Sequence, residues 1–178
     1  MEIIMGIPRI QQLGPGWCGH AALSSVLQFW GHDFSQRDIF SHTKEGPGGD
    51  VVYGAGAYVS MGELALAAMR LTDLRVTLAS LELYEKICKK REDFSPYDLL
   101  KDSIANGIPC IMHHLDHFYV IFGFSERNKK YYLKDSRYCG WYVISEHSFN
   151  TMWSLGAFKY DECEVNTQYS LLIIRPKK

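Results

Sequence analysis

The sequence predicts an α+β fold, with a mostly helical N-terminal half followed by a C-terminal antiparallel sheet. Up to about residue 106, apolar side chains recur at helical spacing behind serine caps. After Gly107 the chain turns to short β-rich runs separated by turn residues, and one helical stretch interrupts that series. At 178 residues, with 47% hydrophobic and 22% charged side chains, the chain suits a single domain over 1–178 with a sizeable core. No internal repeat, low-complexity tract or domain linker breaks it.

The first helix is expected over residues 18–30, where Ala22, Leu23, Val26, Leu27 and Trp30 fall on one face and Gly31 stands where a helix would stop. Cys18 then opens that helix. Ser35 with Asp38, Ser60 with Glu63, and Ser95-Pro96 with Asp98 mark three more helix starts. The glycine-rich stretch Gly46 to Gly56 reads as a long surface loop, either a flap over a cleft or a plain connection. Its lack of a following lysine and helix start argues against a phosphate cradle. Strands are expected over 108–113, 117–124, 130–134, 141–144 and 169–174, with a helix over 145–155. These strands should form one sheet covered on one face, the two halves enclosing a cleft.

Several function classes are excluded at this level. The apolar runs fall well short of the roughly 18 residues of a spanning helix. The opening Met1 to Gly6 lacks the basic start of a secretory signal, so the cytoplasm is the expected compartment, with export by a signal-independent route left open. Five cysteines without repeated close spacing make neither a zinc ribbon nor a dense disulfide framework. A net charge of −1, with Lys89-Lys90-Arg91 the longest basic run, gives no footprint for nucleic acid. No cofactor or metal is expected: His113, His114, Asp116 and His117 match no helical H-E-x-x-H pattern, and a strand–turn setting scatters their directions.

Cys18 has two readings. A thiol becomes a good nucleophile when ionised, and a helix N-terminus or a neighbouring imidazolium promotes that. Gly14-Pro15-Gly16 would make a tight approach to the helix, and Gly19 would let a substrate backbone lie close to the sulfur. The alternative is a buried packing cysteine. The stretch His113 to His117, followed by the apolar run Phe118 to Phe124, decides between them, because it puts His117 at the mouth of a buried strand. Asp116 is poorly placed to orient it, since consecutive strand residues face opposite ways. Asp135 ends the next strand after a short turn near Arg127-Asn128-Lys129, so antiparallel pairing returns it beside His117.

These residues resemble the C39 peptidases, papain-like cysteine enzymes. The likeness rests on Gln12 six positions before Cys18-Gly19, a helix ending in Phe29-Trp30-Gly31-His32, His117-Phe118 leading to Gly123-Phe124, Leu133-Lys134-Asp135, and a closing helix from Ser145 to Trp153. It implies a papain-like fold and a stand-alone peptidase-like domain. It further implies that Cys18 attacks an acyl carbon, His117 relays the proton, Asp135 orients His117, and Gln12 with the Cys18 amide forms the oxyanion hole. Gln11 competes with Gln12, and spacing alone favours the latter. Trp17, His20 and Ser136 depart from the family pattern and bear on substrate preference. Relatives that mature peptides after a double-glycine leader carry a membrane segment and an ATPase; this chain shows neither a spanning run nor a G-x-x-x-x-G-K-[ST] loop, so it is expected to be the peptidase module alone.

The expected partner is a peptide or protein substrate. Two alternatives stand beside hydrolysis: an amine or thiol resolving the thioester, as in an acyltransferase or transpeptidase, and a non-catalytic peptide-binding module of the same fold. Cys110 reads as core packing and Cys88 as a helix residue, while Cys139, four residues after Asp135, raises a redox pairing with Cys18. His113 and His114 are expected at an edge or cleft rim. Oligomeric state is left open by the sequence.

Overall fold

A computed structural model describes residues 2–43, 59–79, 95–138, 140–155, 157–160, 163–166 and 169–177. Its strands are β1 (Glu2–Ile4), β2 (Arg75–Ala79), β3 (Cys110–His114), β4 (His117–Ser125), β5 (Lys130–Asp135), β6 (Gly140–Ser145), β7 (Ala157–Tyr160), β8 (Cys163–Asn166) and β9 (Leu171–Arg175). The helices among these residues are α1 (Cys18–Phe29), α2 (Gln36–Thr43), α3 (Met61–Leu71), α4 (Pro96–Ala105) and α5 (Glu146–Ser154). One antiparallel sheet runs β2-β9-β3-β4-β5-β6, with β1 joined to β4, while β7 and β8 pair separately. The expected α+β architecture is therefore present. The Gly46–Gly56 loop, Cys88 and Cys139 lie outside the described residues, and with them the flap reading and the Cys18–Cys139 pairing.

The caps act much as their sequences suggest. Ser60 and Glu63 form a full capping box at α3, and Ser145 accepts from Ser148 N at α5. Ser95 accepts from Tyr97 N with Pro96 in the first turn, rather than from Asp98. Helix α1 ends at Phe29, with Trp30 as its cap and Gly31 at φ +85 taking the left-handed turn that stops it.

The expectation of a sheet covered on one face is corrected. Buried side chains on β3 and β9 face both ways: Ile111, Leu172 and Ile174 pack with α1, α2 and α3. Cys110, Met112, Leu171 and Ile173 pack with Leu100, Ile104, Phe149 and Trp153 of α4 and α5. Central strands buried on both faces are nearly continuous apolar runs, which is how Cys110–Met112 and Leu171–Ile174 read. The N-terminal half also contributes β1 and β2 to the sheet.

Two features carry the N-terminal segment toward the mouth of the sheet. A Cβ on Gly123 would stand 2.5 Å from the Ile3 carbonyl oxygen, so only glycine lets β1 lie this close to β4. Beyond β1, the buried Lys134 ammonium donates to Pro8 O and to Ser25 Oγ, the latter at 2.9 Å, tying the segment to both β5 and α1. The chain then reaches Gln12, whose N–H donates to Ser136 O at 3.0 Å.

Candidate active site

Helix α1 starts at the cysteine because a tight turn delivers it there. Trp17 N donates to Gly14 O at 3.2 Å, Pro15 takes the second turn position, and Gly16 at φ +78 takes the third, the pattern of a type II turn. Trp17 caps α1 without a side-chain hydrogen bond among the described residues, and Cys18 stands at the positive end of the helix dipole, which favours negative charge there. Cys18 itself is 6% exposed.

Gly19 does not play the part expected of it. A Cβ there would stand 2.5 Å from Val59, 3.1 Å from Leu64 and 3.2 Å from Phe118, so its missing side chain makes room for the core under α1 and not for a substrate backbone.

His117 opens β4 after a two-residue turn in which Leu115 is left-handed at φ 52. Tyr119 lies directly opposite Asp135, which places His117 on the diagonal of the same face. His117 Nε2 lies 2.8 Å from Asp135 Oδ1, and both side chains are buried. The same oxygen accepts from Arg137 N at 2.8 Å, an Asx turn that locks the carboxylate by its own backbone two residues on. Asp116, by contrast, is exposed and stands 3.7 Å from Arg137 Nη2.

Burial opposes a charge on His117, but the hydrogen bond to Asp135, the interaction with the Cys18 thiol and the charges of both hold its pKa above the usual histidine value. Burial likewise acts to raise Asp135, yet the hydrogen bonds from His117 and the Arg137 amide, with the charges of both residues, hold it below the usual carboxylate value. Nδ1 of His117 is buried and makes no standard hydrogen bond among the described residues. Its ring stands edge-on to Tyr119, centroids 4.6 Å apart.

Gln12 completes the group. Its Nε2 donates to Gly14 O at 2.8 Å, and its Oε1 accepts from Ser136 Oγ at 3.1 Å. A carbonyl only accepts, so Gly14 fixes which end of the amide carries the NH₂, and one of its two protons stays uncommitted by that bond. Gln11 is exposed, and its backbone carbonyl accepts from Gln36 Nε2 at 2.7 Å. Gln12, Cys18 and His117 line one cavity of about 470 Å³ together with Gly14, Pro15, Gly16, Asp116 and Arg137.

The other histidines and thiols lie elsewhere. His113 is not at a rim: it is buried, stacked on Phe118 at 4.0 Å, and burial with the charge of His114 pushes its pKa down to about 4. Burial pushes the Cys110 thiol up to about 12. His20 packs against the Trp17 and Phe40 rings, which also touch each other, and its Nε2 lies 3.4 Å from Thr43 Oγ1. Ser136, Arg137 and Gln36 carry the supporting hydrogen bonds and were not foreseen in those roles. Proximity to Asp135 was an available signal for the first two.

The architecture around this cavity has known counterparts. Over 98% of this chain and 94% of the other, it matches a double glycine motif protease from the AMS/PCAT transporter, solved with its leader peptide, at TM-score 0.63 and 19% identity. It also matches the peptidase domain of Streptococcus ComA, a bi-functional ABC transporter of a quorum-sensing pathway, over 94% and 97% of the two chains at TM-score 0.57 and 16% identity. The N-terminal peptidase C39 like domain of a toxin secretion ATP-binding protein from Vibrio parahaemolyticus matches over 93% and 99% at TM-score 0.52 and 11% identity. These likenesses identify the fold as that of C39 peptidase domains, which is papain-like. No curated protein sequence matches the chain. No helix among the described residues is long and apolar enough to cross a membrane. The profile of the Peptidase_C39 like family, however, matches residues 4–156, a span that takes in Gln12, Cys18, His117 and Asp135 alike, and the chain belongs to that family.

Proposed function

We propose that this protein is a cysteine peptidase or amide hydrolase working through Cys18, His117 and Asp135 and a thioester intermediate. The observation that carries the reading is the buried His117 imidazole, bound to Asp135 at 2.8 Å through Nε2 and raised in pKa by both Asp135 and Cys18. A carboxylate on one ring nitrogen fixes the tautomer and stabilises the imidazolium that forms when the other nitrogen takes a proton. That leaves Nδ1 as the nitrogen that serves the thiol.

In the first half-reaction Cys18 Sγ gives its proton to His117 and attacks the substrate carbonyl carbon. The carbonyl electron pair moves to oxygen, and the oxyanion takes hydrogen bonds from the Gln12 side-chain amide and the Cys18 backbone N–H. Collapse breaks the C–N bond, the amine leaves with the imidazolium proton, and the acyl group stays on sulfur. Water then gives a proton to His117 and attacks the thioester, releasing the carboxylic acid and restoring the thiol. A peptide with a double-glycine motif is the first substrate to try, because the structurally similar AMS/PCAT protease is described by that motif.

Incubation with p-nitrophenyl acetate followed by acid quench and peptide mass mapping tests the reading without knowledge of the substrate. The expected result is one acetyl group on Cys18, lost with time in water and absent from Cys18→Ala. No acetyl group on Cys18 together with no Cys18-dependent release of p-nitrophenolate overturns the hydrolase and acyltransferase readings together. An acetyl group released only on addition of an amine favours the acyltransferase.

A further inference from the structure

An oxyanion donor is only as effective as the loop that holds it, and the loop carrying Gln12 is held by a residue from another part of the chain. Gln36, the first residue of α2, is 6% exposed. Its Oε1 accepts from Leu13 N at 3.1 Å, and its Nε2 donates to Gln11 O at 2.7 Å. The side-chain amide thus pairs as a peptide group would, with the residue on either side of Gln12. On Gln12 itself, the backbone N–H and the side-chain oxygen go to Ser136, next to Asp135.

The clamp stands on rigid ground. The start of α2 is fixed by Ser35 and Asp38, with Ser35 N donating to Asp38 Oδ2 at 2.8 Å and Asp38 N donating to Ser35 Oγ at 3.2 Å. Ile39 of α2 is packed in the same core cluster as Cys18 and the buried face of α1. Gln36 therefore ties the Gln12 loop to the body that carries the nucleophile, and Ser136 ties it to the strand that carries the carboxylate. Neither residue lines the cavity.

We propose that Gln36 is a positioning residue that sets the place of the Gln12 amide relative to Cys18, and so tunes oxyanion stabilisation without touching substrate. The proposal deepens the function above and rests on the role given there to Gln12. A packed glutamine with a purely structural duty would also be buried and bonded. What separates the two is whether its loss acts on the oxyanion alone. Removing one oxyanion donor costs about 10²–10³ in rate, and displacing one by about an ångström costs on the order of 10²-fold.

Two reagents separate these effects on the full chain. Iodoacetamide reacts with Cys18 by displacement at a saturated carbon, with no oxyanion, whereas p-nitrophenyl acetate acylates it through one. Gln36→Met, similar in size and lacking both hydrogen bonds, should slow acylation of Cys18 by about tenfold or more while alkylation stays within about twofold. In a Gln12→Ala background the same change should add no further loss. Gln36→Glu keeps the acceptor for Leu13 N but sets a carboxylate oxygen against Gln11 O, so it should show the same selective loss of acylation, and it serves as the test if Gln36→Met does not fold. Unchanged acylation, an equal fall in both rates, or a full additional loss in the Gln12→Ala background overturns the proposal. If wild-type Cys18 is not acylated at all, the hydrolase reading has failed and the role of Gln36 falls with it.

Discussion

Replacing Asp135 with alanine should lower the rate of Cys18 acylation by about 10²–10⁴-fold, the range that a correctly held acid–base group contributes. The Asp135 carboxylate is the partner of His117 Nε2 at 2.8 Å, and without it burial acts on the imidazole with much less opposition. Two consequences should appear together: the ring loses its fixed tautomer, and its pKa falls. Proton NMR of the His117 ring against pH reads the second directly. Wild-type His117 should titrate above the ordinary histidine value of 6.5 and the Asp135→Ala ring below its wild-type position. Unchanged titration with unchanged acylation would remove Asp135 from the site.

The same pair sets a pH dependence of stability. His117 is raised on folding, so its contribution is fully present below 6.5 and is lost as pH rises through the folded value. Asp135 is lowered, so its contribution is fully present above 3.8 and is lost as pH falls through the folded value. Between 3.8 and 6.5 both contributions stand in full.

Trp153→Ala should be the most damaging change to the fold, costing about 3–5 kcal/mol. Trp153, 1% exposed in the last turn of α5, packs edge-on against Tyr97 at 5.3 Å and Tyr169 at 5.5 Å, and beside Phe149 at 5.5 Å. Its indole N–H donates to Ser170 O at 3.4 Å, so truncation both opens a cavity and leaves an acceptor short of a partner. The urea midpoint of the variant measures this, and a loss below about 1 kcal/mol would contradict the packing described. Because Trp153 lies on the face of the sheet away from α1, the folded fraction of the variant should keep its Cys18 reactivity.

Strands β4 and β5 were legible because each is a long apolar or aromatic run bounded by turn residues, and a short hairpin fixes which ends meet. That alone put Asp135 near His117. Strand β1 is three residues long and β2 five, too short to show a period. The second covered face was visible in principle, since Leu171-Leu172-Ile173-Ile174 has no polar side to turn toward water. The misread glycine has a different cause: a glycine beside a nucleophile has the same sequence whether substrate or core occupies the space, and only Val59, Leu64 and Phe118 decide it. His113 left no sign of its fate because its burial depends on stacking with Phe118 across a turn. Gln36 was beyond reach, lying 23 and 25 positions from the two residues it holds.

Whether Cys18 and His117 act as one unit is read out by iodoacetamide alkylation at neutral pH, mapped cysteine by cysteine in the native protein and in His117→Ala. Cys18 should react far faster than the buried Cys110 and slow by about tenfold or more without His117. An inert Cys18, or one that reacts equally fast in the variant, would contradict such a unit and leave a protein that keeps the peptidase fold only to bind.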